Sequence, residues 1–413
     1  METRHKSARI TPPSDALVTA LKTELRDRLE AIKERNLYRQ LRTIQSEQGS
    51  WIEIDAKQVL NLCSNNYLGL ASHPKLKEAA AQAAYTYGCG SGASRLICGT
   101  MALHETLEHH IAKFKGVEAA LVYNSGYAAN LGIITSLVGN GDAVFSDELN
   151  HASLIDGCRL SRAKVSVFPH KDVDALEKQL QQATNHDNKS RRLIVIDTVF
   201  SMDGDIAPLP EIVELAKKYD AMLMVDEAHA TGALGPGGKG AVAHFGLDGQ
   251  VPIVMGTFSK AFGGFGAYVA GSQVLRDYLI NTSRSLIFTT ALPPTVLGSA
   301  IAAVKILQEQ PSLVTTLQEN ARYLRQGLQQ IGFDTGPSQT QIIPVILGDA
   351  ARTLRMSELL LRHRVLATAI RPPSVPEGTS RIRVSVTAAH THHDLDFALL
   401  AFEKAGRTLG IVG

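Results

Sequence analysis

Short runs of apolar residues alternate with helix-like stretches through the middle of the chain. Seven such runs occupy residues 119–123, 143–146, 164–168, 193–197, 221–226, 253–256 and 267–270. Segments with helical periodicity, such as 127–137 and 209–219, separate most of them. Continuously apolar strands that alternate with helices are typical of a mostly parallel sheet covered on both faces. The pattern therefore predicts a large α/β domain with a seven-stranded sheet over residues 55–295.

The two ends of the chain follow different patterns. Within residues 14–46, apolar side chains recur every three or four residues, as in an amphipathic helix that packs on another surface: Leu17, Leu21, Leu25, Leu29 and Ile32. After residue 300, a long helical segment to 331 leads to strand-like runs near 342–347, 365–369 and 381–386, with helices at 351–363 and 392–406. We expect a smaller α+β domain over residues 296–413, and a helical arm over residues 1–54 that packs with it.

Composition narrows the classes of function. Lysine and arginine total 42 against 40 acidic residues, and a net charge of +2 offers no excess of cations for coating nucleic acid. The four cysteines form no Cys-x-x-Cys pair, as is usual for thiols of a reducing compartment. Residues 285–304 are uncharged and long enough to span a bilayer, but Pro293 and Pro294 interrupt them. We expect a cytoplasmic protein without a membrane span, in which this stretch is a loop that enters a buried helix.

Polar residues that could carry chemistry follow several of the predicted strands. Asp226 ends an apolar strand, His229 comes three residues later, and Lys260 lies between another strand and the glycines of 263–266. In open α/β sheets, ligands bind beyond the carboxyl ends of the strands, so these side chains are expected to face one crevice. Asp226 alone could instead cap the next helix. Residues 226–229 also spell the Asp-Glu-Ala-His box of helicases, but the phosphate loop that such a motor needs is missing upstream.

An anion site is predicted at the start of a helix in the same region. The small residues of 124–130 join a strand to a helix, where backbone N–H groups can approach a phosphate, and His151 follows another strand end. This ordered set meets the needs of pyridoxal 5′-phosphate (PLP), in which a lysine forms a Schiff base and an aspartate pairs with the protonated ring nitrogen. No metal site is expected, because no cysteines or carboxylates converge in sequence with the histidines at 390, 392 and 393.

On these residues the sequence resembles the α-oxoamine synthase family of fold-type I PLP-dependent transferases. The resemblance covers nearly the whole chain, and its motifs lie at 61–70, 90–94, 146–156, 199–204, 225–229 and 256–260. It implies PLP as the cofactor, a large mostly parallel sheet domain with a smaller α+β domain, and a homodimer.

The roles of the family carry over onto the matching positions. The resemblance implies that Lys260 is the Schiff-base lysine, that Asp226 is the partner of the ring nitrogen and that His151 is stacked on the ring, and these are the predicted catalytic residues. Further cofactor contacts are implied at the ring hydroxyl and the phosphate, the last of them from the other subunit: His229, Ser201, Gly126, Tyr127, Thr257 and Thr289.

The resemblance also implies substrate contacts. Arg371, helped by Asn65, is expected to pair with the carboxylate of an amino acid, and Arg39 is expected to meet the far end of the acyl substrate. Residues 368–376 and 378–383 resemble the members of biotin biosynthesis, which condense L-alanine with a pimeloyl thioester of coenzyme A or acyl carrier protein and release carbon dioxide.

Other motifs keep alternatives open. Residues 95–100 and 146–151 look closer to the threonine-pathway members of the family, which use glycine and acetyl-CoA. A catalytically silent partner subunit would keep the fold, but it would be expected to lack the lysine that is present here as Lys260. We expect the reaction of alanine with a pimeloyl thioester, with the glycine enzyme as the alternative.

Overall fold

The N-terminal arm is a helix followed by a hairpin. A computed structural model describes residues 15–186 and 190–413, so residues 1–14 of the predicted arm lie outside the described residues. Helix α1 (Asp15–Glu34) precedes strands β1 (Trp51–Ile54) and β2 (Lys57–Asn61). The helical pattern within 14–46 ends at Glu34, because Asn36 adopts a left-handed conformation (φ 57°) that ends a helix.

The apolar stripe of α1 is exposed within the chain. Leu17 is 70% exposed and Ile32 is 40% exposed, with intermediate values between them. Packing of this helix against the smaller domain is therefore not seen among the described residues, which leaves the stripe open to a further contact.

The large domain follows the predicted alternation of strands and helices. In chain order it contains α2 (Pro74–Tyr87), a π-helix (Arg95–Gly99), α3 (Ala102–Lys115), β3 (Ala119–Tyr123), α4 (Gly126–Leu137), β4 (Ala143–Asp147), α5 (Ala152–Ser161), β5 (Lys164–Phe168), α6 (Val173–His186), β6 (Arg192–Asp197), α7 (Leu209–Lys218), β7 (Met222–Asp226), a 3₁₀ turn (Pro236–Gly238), α8 (Ala241–His244), β8 (Ile253–Thr257), β9 (Ala267–Gly271), α9 (Gln273–Thr282) and α10 (Arg284–Ile287).

The seven strands β3 to β9 form one sheet, as predicted. Their order is β3-β9-β8-β7-β6-β4-β5, and every neighbouring pair is parallel except the two pairs that involve β9. Strands β3, β4, β6 and β8 are buried along their whole length, because helices cover both faces of the sheet. Only the edge strand β5 is largely exposed.

The C-terminal part contains α11 (Pro294–Glu309), α12 (Ser312–Ile331), β10 (Ile342–Gly348), α13 (Ala350–Arg362), β11 (Val365–Leu366), β12 (Thr368–Ile370), β13 (Ser380–Ser385) and α14 (His392–Thr408). Strands β10, β13 and β12 form an antiparallel sheet, and β11 pairs with β2 of the hairpin. Residues of α12, α13 and α14, among them Leu324, Met356 and Phe402, form the separate core of this smaller domain.

The packing favours domain boundaries other than the predicted ones after residues 54 and 295. Strand β2 pairs with the C-terminal β11, whereas α11 packs against α2 and α3 and contributes to the core of the large domain. We therefore propose a division after β2 and after α11.

The uncharged stretch 285–304 ends α10 and enters the buried helix α11, as predicted. Within residues 15–186 and 190–413, no helix combines the length and the apolar character that crossing a membrane requires.

Candidate active site

The carboxyl ends of neighbouring parallel strands bring polar side chains to one edge of the large sheet. Asp197 ends β6 and Asp226 ends β7, the two are paired in register, and both are buried. Thr257 ends the next strand, β8. With His151 and Lys260, these residues line a cavity of about 180 Å³. The cavity lies at the crevice that the order of the motifs predicts.

The carboxylate of Asp226 is held by two hydrogen bonds. Its Oδ2 accepts from Asn130 Nδ2 on α4 at 2.8 Å, and its Oδ1 accepts from the N–H of Ala228 at 2.8 Å. The second bond closes a turn after β7, and because no helix begins there Asp226 is not the helix cap that the sequence left open as an alternative. Asp226 therefore orders its own loop and also lines the cavity, where an ionised carboxylate can accept a hydrogen bond from a cationic ring nitrogen.

Lys260 belongs to a chain of three hydrogen-bonded side chains. Its Nζ lies 2.8 Å from His229 Nε2, and His229 Nδ1 lies 2.7 Å from Tyr67 Oη. Burial lowers the pKa of Lys260 from 10.5 to about 8, although Asp226 and Asp197 oppose the change. Burial and then the charge of Lys260 lower the pKa of His229 well below 6.5. At pH 7, His229 is neutral and about one Lys260 amine in ten is unprotonated.

His151 caps helix α5 at the edge of the cavity. Its Nδ1 accepts a hydrogen bond from the N–H of Ser153, and its own backbone N–H donates to Asp197 Oδ2 at 2.6 Å. Burial lowers the pKa of His151, against the opposing charge of Asp226. The imidazole is therefore held over the cavity as a neutral ring, which suits the predicted stacking on a planar ligand.

The start of helix α4 has the geometry that the predicted anion site requires. Ser125 caps the helix by accepting from the N–H of Ala128, while Gly126 and Tyr127 line the cavity at the first positions of the helix. The first N–H groups of a helix have no partner within the helix and favour anions. Thr289 does not line this cavity; its Oγ1 lies 3.3 Å from Asn124 Nδ2.

A second cavity of about 320 Å³ continues the first one and shares His151, His229 and Lys260 with it. Its wall includes Ser201, Asn65 and Arg383. The guanidinium of Arg383 is buried and donates to Asn65 Oδ1 through both terminal nitrogens, each at 3.2 Å. Within the described residues, no carboxylate lies within ion-pair distance of Arg383. Its nitrogens donate to neutral acceptors, namely Ser201, Asn65, Ser385 and Tyr67, so its charge is not balanced by an anion among these residues.

Arg383 is not among the predicted site residues. The predicted Arg371 lies outside the lining of this second cavity, where it donates to the carbonyl of Asn36 and carries its charge near that of Arg39. A signal was present, because the arginines of 381–385 alternate with apolar residues on a strand that is buried throughout. Arginines that alternate with core residues on a buried strand need a polar partner or a ligand.

The wider mouth of the site is a third cavity of about 780 Å³. It shares His151, Ser201 and Met202 with the second cavity, and it extends to Arg35, which directly follows helix α1. Arg39 lies close by but is exposed and lines none of the three cavities. The three connected cavities lead from the surface to the Lys260 amine and have room for a long substrate.

Comparisons with known proteins identify the family of the chain. Residues 57–402 match the model of the aminotransferase class I and II family, and the chain belongs to this family. The chain is 50% identical over 393 residues to 8-amino-7-oxononanoate synthase of Symbiobacterium thermophilum, covering 95% of this chain and 100% of that one. It is 51% identical over 386 residues to the enzyme of the same name from Geobacter sulfurreducens, covering 93% and 98%. These matches confirm the family resemblance.

Solved structures share the fold. A serine palmitoyltransferase from S. paucimobilis with a bound PLP–myriocin aldimine superposes with a TM-score of 0.87 at 33% identity, covering 96% of this chain and 98% of that one. 8-Amino-7-oxononanoate synthase from Francisella tularensis superposes with a TM-score of 0.73 at 29% identity, covering 85% and 98%. The predicted fold-type I architecture is thereby confirmed.

Proposed function

We propose that this protein condenses L-alanine with a pimeloyl thioester, with loss of carbon dioxide, to give 8-amino-7-oxononanoate and a free thiol carrier in biotin biosynthesis. The observation that carries the proposal is the convergence of Lys260, Asp226 and Arg383 on connected cavities. The identity of about 50% to relatives named for this product supports the choice within the family. The carrier of the acyl group is coenzyme A or acyl carrier protein.

The first cavity has the donors that PLP requires. Asp226 would accept from the ring nitrogen and His151 would cover the ring, while the other groups would meet the phosphate or the ring hydroxyl: Gly126, Tyr127, Thr257, Ser201 and His229. When bound, PLP supplies an electron sink that stabilises negative charge at Cα of the amino acid. Lys260 is the residue that would attach it covalently.

Lys260 is also the proposed base for the Cα proton. A general base works best when its pKa lies near the working pH, and burial brings the pKa of Lys260 to about 8. The lysine would accept the proton at Nζ and hold it there beside His229 Nε2, 2.8 Å away. His229 is neutral and adds no competing charge, so the position of Lys260 is fixed without losing its basicity.

Arg383 is the proposed partner of the alanine carboxylate, in place of Arg371. Its planar fork is already oriented by Asn65 and Ser385, and an arginine fork binds a carboxylate through two parallel hydrogen bonds. A substrate carboxylate here would neutralise a buried cation that has no carboxylate partner among the described residues. Asn65, predicted as a helper of the carboxylate site, would then act through Arg383.

The pimeloyl thioester would enter through the wide third cavity. Arg39 and Arg371 adjoin each other near its rim, and neither forms an ion pair within the described residues. We propose that Arg39, with Arg371 beside it, meets the terminal carboxylate of the acyl chain, for which an acetyl group has no counterpart.

We also propose a homodimer, because the exposed stripe of α1 needs a covering surface, and Thr289 would then reach the partner's phosphate site. The location in the cytoplasm stays a prediction.

The test of the function is a matrix of alanine, glycine and serine against pimeloyl and acetyl thioesters, with carbon dioxide release as the readout. Alanine with a pimeloyl thioester should react fastest. If glycine with acetyl-CoA reacts faster than alanine with the pimeloyl thioester, the protein is the glycine enzyme of the same family and our proposal is wrong.

A further inference from the structure

His170 lies outside the cavities but joins two loops that form their walls. It follows the edge strand β5, and its ring is about 21% exposed. Its Nδ1 lies 3.0 Å from Asp147 Oδ1, and its Nε2 lies 2.9 Å from Asp205 Oδ2. Asp147 begins the loop that carries His151, and Asp205 ends the loop that carries Ser201. One imidazole therefore spans both loops.

The geometry requires a charged ring. An ionised carboxylate can only accept hydrogen bonds, so an imidazole that contacts one carboxylate through each nitrogen must carry a hydrogen on both. Burial alone opposes protonation, but the hydrogen bonds to Asp147 and Asp205 outweigh it and raise the pKa of His170 to about 9. The ring is therefore an imidazolium at neutral pH.

The two buried carboxylates that His170 contacts are balanced by nearby cations only when the ring is charged. Lys171 Nζ lies 2.7 Å from Asp205 Oδ2, and the backbone N–H of Lys171 donates to Asp147 Oδ2. Glu148 accepts from the backbone N–H of His170, and the ring of Phe200 packs edge-on at 4.3 Å between centroids. Two buried carboxylates then face one ammonium and one imidazolium, and loss of the His170 proton would leave an unbalanced buried charge.

We propose that His170, as an imidazolium, is a positioning residue that fastens the loop of His151 to the loop of Ser201 and so shapes the site where the cofactor binds. The proposal deepens the proposed function, because it assigns a support to the walls of that site. It rests on hydrogen bonds that form without a substrate, so it can be wrong even if the proposed reaction is right.

The experiment compares the wild-type protein with His170→Gln, which keeps one N–H donor and no charge, and with His393→Gln as the control, since His393 is exposed on α14. The first readout is the dissociation constant for PLP at pH 7, from an absorbance titration. His170→Gln should raise it about tenfold, the effect of losing one charge-assisted hydrogen bond. His393→Gln should leave it unchanged.

The second readout is the urea midpoint of the cofactor-free proteins between pH 6 and 10. A pKa raised on folding gives stability that is complete below about 6.5 and is lost as the pH rises through about 9. His170→Gln should therefore be less stable than wild type at pH 6, and the difference should shrink above pH 9. The titration of Lys260 is common to both proteins and cancels in the difference.

A direct titration keeps the proposal testable if the variant folds poorly. In wild-type protein labelled at histidine, one ring should titrate near pH 9 by NMR, and a His170 ring that titrates near 6.5 would overturn the inference. Equal PLP affinity of wild type and His170→Gln would also overturn it. Failure of the wild-type protein to bind PLP would instead count against the proposed function.

Discussion

Replacing Lys260, the proposed catalytic lysine, should make the cofactor-free protein more stable. Burial of Lys260 in the cavity disfavours its charged form and lowers its pKa from 10.5 to about 8. Each pKa unit corresponds to about 1.4 kcal/mol, so the folded protein carries a penalty of roughly 3 kcal/mol for holding the charged form. Loss of the hydrogen bond to His229 offsets about 1 kcal/mol of this. Lys260→Met, which keeps the length and removes the charge, should therefore stabilise the protein by about 2 kcal/mol at pH 7.

The direction in which the stability difference between Lys260→Met and wild type changes with pH is a stricter check of this prediction. Below about pH 8 the lysine is charged in both the folded and the unfolded chain, so the penalty is complete. Between about 8 and 10.5 only the unfolded chain keeps the proton, and the penalty disappears. The advantage of Lys260→Met should thus be nearly constant from pH 6 to 7, fall above about pH 8 and reverse by about 10.5, where only the lost hydrogen bond to His229 remains.

The assay is urea unfolding of cofactor-free protein at one fixed concentration, because the proposed dimer would make the midpoint depend on concentration. Lys113→Met, an exposed lysine on α3, is the matched control and should change the free energy of unfolding little at any pH. A Lys260→Met protein that is less stable than wild type at pH 7, or whose advantage does not change with pH, would refute the reasoning.

Three further predictions concern the loaded enzyme. Borohydride reduction of the PLP complex followed by peptide mapping should label the peptide that holds Lys260, and label on another lysine would contradict the assignment. Asp226→Asn should still fold and bind some PLP but should exchange the Cα proton of alanine far more slowly, and exchange at the normal rate would exclude its role as the ring-nitrogen partner. Arg383→Lys should raise the KM for alanine about tenfold and leave the KM for the pimeloyl thioester nearly unchanged, whereas Arg39→Ala should do the reverse; equal effects of both variants on both substrates would argue against the division of roles.

Much of the large domain could be predicted because its strands are buried on both faces. Strands such as β6 and β7 are continuous apolar runs, and the helices between them have their own periodicity, so the alternation is visible in one sequence. The order of Asp226, His229 and Lys260 after strand ends could be predicted for the same reason, since the carboxyl ends of parallel strands meet at one edge.

Features that depend on contacts far apart in sequence could not be predicted. The hairpin of β1 and β2 is a different case, because its contacts are local; it was not predicted since the positive φ of its two-residue turn falls on Asp55 and Ala56 and not on glycine. The choice between Arg371 and Arg383 depends on where the chain from 372 to 380 turns back, and both residues follow apolar positions on short strands. The hydrogen bonds of His170 join residues from three loops, and only the fold shows that these residues meet.

The chain of Tyr67, His229 and Lys260 has a direction that the charge on the lysine selects. An ammonium can only donate, so a protonated Lys260 places the imidazole hydrogen on Nδ1, which then donates to Tyr67 Oη. Tyr67 must in turn direct its own hydrogen to Asn65 Oδ1, 3.1 Å away. A neutral amine can also accept, which permits the other tautomer and turns the Tyr67 hydrogen away from Asn65. Asn65 is also the acceptor that orients Arg383. The proposed base, Lys260, and the proposed carboxylate partner, Arg383, are thus linked through the orientation of two hydrogens. Gain of a proton by Lys260 can therefore change the hydrogen bonding of Arg383 without movement of any heavy atom.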